Sequence, residues 1–260
     1  MTRPLALVTG ASAGIGKEIA RVLAADHDLV LSARRADELA ALAAELGGTS
    51  CTVVPADLAD PAAPQLLFDA VAAGGRPLDV LVNNAGFGDF GYFATADLPK
   101  LLRMVQVNCT ALTELTHRFL PGMVERKTGR VLNVGSVAGF QPGPLMAVYY
   151  ATKAYVNSLS QALSNELAGT GVTVTCLCPG PTRTEFAAAA GRREGKSFSV
   201  AQRLTARDVA EIGVSAMTRG TPVVVPGMGN KLLIAAERLL PRGAVVRAVR
   251  WMQQKRMPEA

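Results

Sequence analysis

Tyr149 and Lys153 stand four residues apart in the stretch Tyr149-Tyr150-Ala151-Thr152-Lys153. On a helix that spacing puts both side chains on one face. An unperturbed tyrosine keeps its proton up to pH ~10. An ammonium beside it favours the phenolate and lowers that value. The pair is therefore a candidate acid–base device matched to neutral pH. Tyr150 lies about 100° further round the helix and does not share the face of Lys153. The spacing alone is common on helices, so its context decides.

That context begins with a glycine loop, Thr9-Gly10-Ala11-Ser12-Ala13-Gly14-Ile15-Gly16, between an apolar run and a helical pattern. Glycine at such a turn lets the backbone fold tightly and lets a phosphate approach. The helix start then offers free N–H groups and a positive dipole end to a pyrophosphate. The next apolar run, Leu29-Val30-Leu31-Ser32, ends in Ala33-Arg34-Arg35 with no carboxylate at its end. An NAD site usually places Asp or Glu there, to bind the ribose hydroxyl. Guanidinium groups instead pair with a 2′-phosphate through charge-assisted bonds. The expected cofactor is NADP(H).

Together these residues resemble the classical short-chain dehydrogenase/reductase family. The resemblance spans roughly residues 5–226. It includes Asn83-Asn84-Ala85-Gly86, Asn108, Ser136 thirteen residues before Tyr149, and Pro179-Gly180-Pro181-Thr182-Arg183-Thr184. It implies an NADP(H)-dependent oxidoreductase acting on CH–OH groups, with Asn108, Ser136, Tyr149 and Lys153 as the catalytic set. Tyr149 would exchange the proton with the substrate oxygen, and Ser136 would hold that oxygen. Lys153 would tune Tyr149 and bind the nicotinamide ribose. Asn108 would hold a water linking Lys153 to solvent.

For the cofactor, the resemblance implies Gly10, Ser12, Ala13, Gly14, Ile15 and Gly16 in the glycine loop. Arg34, Arg35, Asp57 and Leu58 would lie around the adenosine. Asn84, Ala85, Gly86, Tyr149 and Lys153 would lie along the ribose, with Pro179, Gly180, Thr182 and Thr184 near the carboxamide. The alternatives are a cofactor-binding sensor or scaffold without turnover, and a sugar-nucleotide epimerase or dehydratase. The first would be expected to lose Tyr149 or Lys153. The second would be longer, with differently spaced glycines.

Elements that could position these residues follow from the hydrophobic pattern. Seven short apolar runs, near residues 5–8, 29–32, 51–54, 80–82, 130–134, 172–178 and 222–225, alternate with helical patterns. Strands apolar on both sides belong in a parallel sheet covered on both faces. Strand–helix alternation yields right-handed crossovers and a doubly wound α/β fold of Rossmann type. A long helix is expected over 97–119 and another over 148–167. Residues 1–226 read as one NADP-binding catalytic domain, and 227–260 as a helical extension packed on it.

Composition narrows the function classes. The chain has 260 residues, 49% of them hydrophobic, and no apolar run reaches the ~18 residues of a membrane span. The start carries only a short apolar run before the glycine turn, so no export signal is expected. These features predict a cytoplasmic protein. Cys51, Cys109, Cys176 and Cys178 read as free thiols of a reducing compartment. The two histidines, His27 and His117, have no ligand-like neighbours, and no metal is expected.

The net charge is +6, and its location says more than its size. Residues 229–257 hold seven bases and one acid, Glu237, which accounts for the whole excess. A general nucleic-acid surface is therefore not expected. From Pro241 onward the pattern is a basic amphipathic helix bearing Trp251. Its expected role is to pack on the body or a subunit partner, with contact to a membrane surface or an anionic acyl carrier through 241–256 as the alternative. The family resemblance implies a homodimer or homotetramer.

Substrate loops are expected at 87–93, 137–144 and 185–204, the last of them a candidate lid. Phe87, Phe90, Tyr92, Phe93 and Phe140 make the first two largely apolar, and neither contains Arg or Lys. An apolar aldehyde, ketone or alcohol is the expected substrate.

Overall fold

The computed structural model describes residues 3–182, 184–186, 190 and 204–255. Seven strands form one parallel sheet in the order β3-β2-β1-β4-β5-β6-β7. They are β1 (Leu5–Thr9), β2 (Asp28–Ser32), β3 (Cys51–Val53), β4 (Val80–Asn83), β5 (Gly129–Val134), β6 (Val172–Leu177) and β7 (Val223–Val224). β1 and β4 are buried along their whole length, as expected where helices cover both faces. The fold is the Rossmann-like doubly wound sheet that the alternation predicts. The chain winds outward from β1 in both directions, so a crevice opens at the carboxyl ends of β1 and β4. Ligands bind at such switch points.

Helices α1 (Gly14–Leu23), α2 (Ala36–Glu45), α3 (Ala63–Ala73), α4 (Leu98–Val105), α5 (Leu112–Glu125), α6 (Ala147–Glu166) and α7 (Ala206–Thr218) cover the sheet. Two apolar cores result. One packs Leu7, Leu67, Leu81, Leu115 and Met123 beneath α3 and α5. The other packs Val8, Ile19, Leu31, Leu39 and Val82 beneath α1 and α2. Between sheet and helices a buried amide chain sets the register. Asn83 donates to Asn133 at 2.9 Å and to Thr116 at 3.0 Å, and Asn133 donates to Ser160 of α6 at 3.0 Å. Each of these buried amides thus keeps a partner through its Nδ2, while Asn83 Oδ1 has none among the described residues.

The helix expected over 97–119 differs in two ways. It runs on to Glu125, through Pro121. His117, whose carbonyl faces the missing proline N–H, is exposed, while Met123 beyond it is fully buried. Burial of that last turn outweighs the lost bond. The helix is also interrupted by a π turn over Gln106–Ala111, which contains Asn108. Such bulges collect at functional sites because they re-aim side chains and backbone groups.

After β7 come two further helices, α8 (Met228–Glu237) and α9 (Arg242–Gln254). Ile234 of α8 and Val245, Val249 and Gln253 of α9 are buried against the body. No described helix is long and apolar enough to cross a membrane.

Candidate active site

The crevice above β1 and β4 is a cavity of about 930 Å³. The glycine loop forms one wall. Gly10 and Gly14 have φ of +66° and +55°, a left-handed backbone that favours glycine. Thr9 and Asn84 stitch the loop to the end of β4. Asn84 N and Ala85 N donate to Thr9 Oγ1 at 3.0 and 3.2 Å, and Asn84 Nδ2 donates to Thr9 O at 2.9 Å. A Cβ on Gly16 would lie 2.2 Å from Asn84 Nδ2 and 2.4 Å from Gly10 O. Glycine there lets α1 sit against Asn84.

This wall suits a dinucleotide. The N-cap of α1, Ala13, makes no side-chain cap bond, and the first turn holds no acid. The helix thus presents unpaired N–H groups and its positive dipole end to the cavity. Gly10, Ser12, Ala13, Gly14, Ile15, Arg34, Asp57, Leu58, Asn84, Ala85, Gly86, Pro179, Gly180, Thr182 and Thr184 all line it. Gly16 lies behind the loop. Arg35 is not in the lining. It crosses to Glu185, which it meets at 3.0 Å, and to Ser12 Oγ at 3.4 Å. Arg103 also lines the cavity and meets Asp57 at 3.7 Å, a contact with no mark in the local sequence.

Ser136, Tyr149 and Lys153 line the same cavity. Lys153 Nζ lies 6.0 Å from the centre of the Tyr149 ring and donates to Val134 O at 2.7 Å. It is fully buried, and burial pushes its ammonium down from 10.5 to about 8. The thiols of Cys176, Cys109 and Cys178 pull the other way and are outweighed. Ser136 caps a short 3-10 turn (Val137–Phe140): its Oγ accepts from Ala138 N at 3.0 Å. Tyr149 packs against Phe186, with ring centres 5.2 Å apart.

Asn108 stands just outside the lining, held by both atoms of its amide. Its Oδ1 accepts from Phe87 N at 3.1 Å, and its Nδ2 donates to Phe87 O and Thr152 Oγ1, each at 3.0 Å. A Cβ on Gly86 would lie 3.0 Å from Asn108 Oδ1 and 3.7 Å from Lys153 Nζ. Gly86 thus separates the two by one narrow gap.

Two groups of residues escaped the sequence reading. Asn157, one turn beyond Lys153, is buried and donates to Ser136 O at 3.0 Å, while its Oδ1 accepts from Ser136 N at 3.4 Å. Its place in the register of Lys153 was the available signal. The second group comes from the C-terminal helices: Met228, Asn230, Leu233, Val249, Met252 and Gln253 all line the cavity. Residues read as an extension are thus part of the wall.

Of the five loop aromatics expected to shape the substrate end, Phe87 lines this cavity, Phe90 is half-buried outside its lining, and Tyr92 and Phe93 are exposed. Phe140 lines a neighbouring cavity beside α6, α8 and α9. The candidate lid over 185–204 lies mostly outside the described residues. Cys176 and Cys178 do point to one side, with Sγ atoms 3.5 Å apart, and all four cysteines are free. Among the described residues no cluster of His, Cys, Asp or Glu could hold a metal.

A parallel sheet with a glycine loop at its switch point, opposite a Tyr–Lys helix, defines a dinucleotide-dependent oxidoreductase scaffold. Residues 4–195 match the short chain dehydrogenase family, and the chain belongs to it. The ketoacyl reductase HetN of Nostoc sp. is 31% identical over 263 residues, covering 96% of this chain and 90% of that protein. A short-chain dehydrogenase from Sphingobium yanoikuyae, solved with NADPH, superposes with a TM-score of 0.80 at 34% identity, over 91% of this chain and 94% of that one. A short-chain dehydrogenase/reductase from Burkholderia phymatum, solved with NAD, gives 0.82 at 25% identity, over 92% and 94%. The family therefore includes users of either nicotinamide cofactor.

Proposed function

We propose that this oxidoreductase uses NADP(H) to interconvert a carbonyl and a primary or secondary alcohol on an apolar substrate, with Tyr149 as acid and base. The observation that carries this reading is the buried Lys153 ammonium, on the Tyr149 face of α6 and lowered to about 8. A cation so placed stabilises the Tyr149 phenolate and brings proton transfer into the neutral range. Ser136 Oγ holds the substrate oxygen, and Asn157 fixes the backbone on which Ser136 rides. Asn108 holds the water that resupplies the proton through Lys153. When bound, the nicotinamide gives or takes the hydride.

The preference for NADP(H) rests on the adenosine end. Arg34 lines the cavity where β2 ends without a carboxylate, while Arg35 stands beside the glycine loop paired with Glu185. The Arg34 guanidinium there suits a 2′-phosphate. At the other end Phe87, Met146, Phe186, Leu204, Leu233 and Met252 favour an apolar substrate.

A panel of lipophilic and charged carbonyls, assayed with NADPH and with NADH beside Tyr149→Phe, tests the reading. Lipophilic carbonyls should turn over with NADPH. The variant should lose at least about a hundredfold in kcat. Full activity in Tyr149→Phe would overturn the assignment, and turnover of charged sugars alone would overturn the substrate class.

A further inference from the structure

The α8–α9 hairpin has an inner and an outer side. Ile234, Val245, Val249 and Gln253 face inward, and Gln253 Nε2 donates to the Tyr150 hydroxyl at 2.9 Å. The outer side remains unusually apolar for exposed surface. Met228 is 67% exposed, Leu232 64%, Leu239 87% and Trp251 59%, with Leu233 and Leu240 also exposed. Met228 and Leu232 lie one turn apart on α8, and the exposed Leu239 and Leu240 carry the apolar row on into the turn before α9.

The same hairpin carries exposed cations. Lys231, Arg238, Arg242, Arg247, Arg250 and Lys255 are all exposed. Among the described residues none of them is ion-paired. The hairpin's one acid, Glu237, is half-buried, and burial pushes its carboxyl up. Lys255 Nζ sits 3.5 Å from the centre of the Trp251 ring, a cation–π contact that keeps the indole beside a positive charge.

We propose that the outer face of the α8–α9 hairpin docks on an anionic lipid bilayer, with its apolar row in the interface and its cations on the headgroups. Basic helices bearing exposed leucine and tryptophan bind in this way, through apolar area plus attraction to anionic lipid. Charge selects this occupant over a second copy of the chain, because a two-fold pairing would set like cations against one another. The row also begins at the active-site cavity, since Met228 lines it. Docking therefore brings that cavity next to the lipid surface.

Sedimentation of the full chain with vesicles tests this without any turnover. One set is phosphatidylcholine alone, and the other is phosphatidylcholine with phosphatidylglycerol. The protein should pellet with the second set and be released by salt. The double variant Arg247→Glu with Arg250→Glu should bind at least about thirtyfold more weakly, from the contribution of two cations near an anionic surface. Arg247→Lys with Arg250→Lys should bind like the parent, which separates charge from fold. Equal pelleting of parent and charge-reversed variant would overturn the proposal. So would equal pelleting with phosphatidylcholine alone, or none with either set. Charge-dependent binding to an acidic acyl carrier protein without vesicle binding would overturn it in favour of a protein partner.

Discussion

Replacing Lys153 by methionine should remove a pH dependence of stability that can be worked out in advance. In the folded chain burial holds this ammonium at about 8, against 10.5 when exposed. Between those two values the unfolded chain keeps the proton and the folded chain has released it. Stability therefore rises with pH across that window, because the unfolded state binds more protons there. Below pH 8 both states are protonated and the contribution is absent. Above 10.5 it is complete, at about 3 kcal/mol by the usual conversion. At pH 10 most of it, about 2.5 kcal/mol, should be present.

Urea unfolding of both proteins at pH 7 and pH 10, without cofactor, isolates the effect. Titrating groups remote from Lys153 are common to parent and variant and cancel in the double difference, and a Tyr149→Phe background in both proteins removes the phenol that Lys153 would shift. The parent should gain about 2.5 kcal/mol relative to Lys153→Met on going to pH 10. Parallel pH curves would refute the reasoning, since Lys153 would then be as easily charged in the fold as outside it.

Two substitutions probe the other end of the cavity. Gly16→Ala puts a Cβ 2.2 Å from Asn84 Nδ2 and 2.4 Å from a backbone oxygen. It should cost about 1–3 kcal/mol in thermal unfolding and weaken dinucleotide binding, read by fluorescence titration. Arg34→Asp should lower kcat/KM for NADPH by about tenfold to a hundredfold, the worth of a charge-assisted bond, and raise it for NADH. An unchanged cofactor ratio would remove Arg34 from the phosphate site.

The sheet was legible because a parallel strand covered on both faces must be apolar at successive positions. Runs such as Leu5–Thr9 and Val80–Asn83 can hardly be anything else. The glycine loop and the Tyr–Lys pair were legible because their chemistry needs fixed residue types at fixed spacing. What stayed hidden depends on tertiary packing. The π turn at Asn108 adds one residue to a helix turn, and nothing local marks it. Continuation through Pro121 rests on the burial of Met123, which only the assembled core supplies. The aromatic loop was legible only in part for the same reason: Phe87 reaches the cavity, while the backbone turns Tyr92 and Phe93 out to the surface. The C-terminal helices carried a visible basic face, while their inner face, a wall of the cavity, follows from how α9 meets α6.

That meeting bears on the neighbouring tyrosines. Tyr150 is turned away from Lys153 and has a different use. Its hydroxyl accepts from Gln253 of α9, and its ring covers Gly143, where a Cβ would fall 2.1 Å from Tyr150 Cγ. One tyrosine thus fastens the hairpin to α6, while the other, on the same turn, faces Lys153. The hairpin therefore meets the helix that carries the proposed acid–base pair at Tyr150 and at Met146, to both of which Gln253 donates.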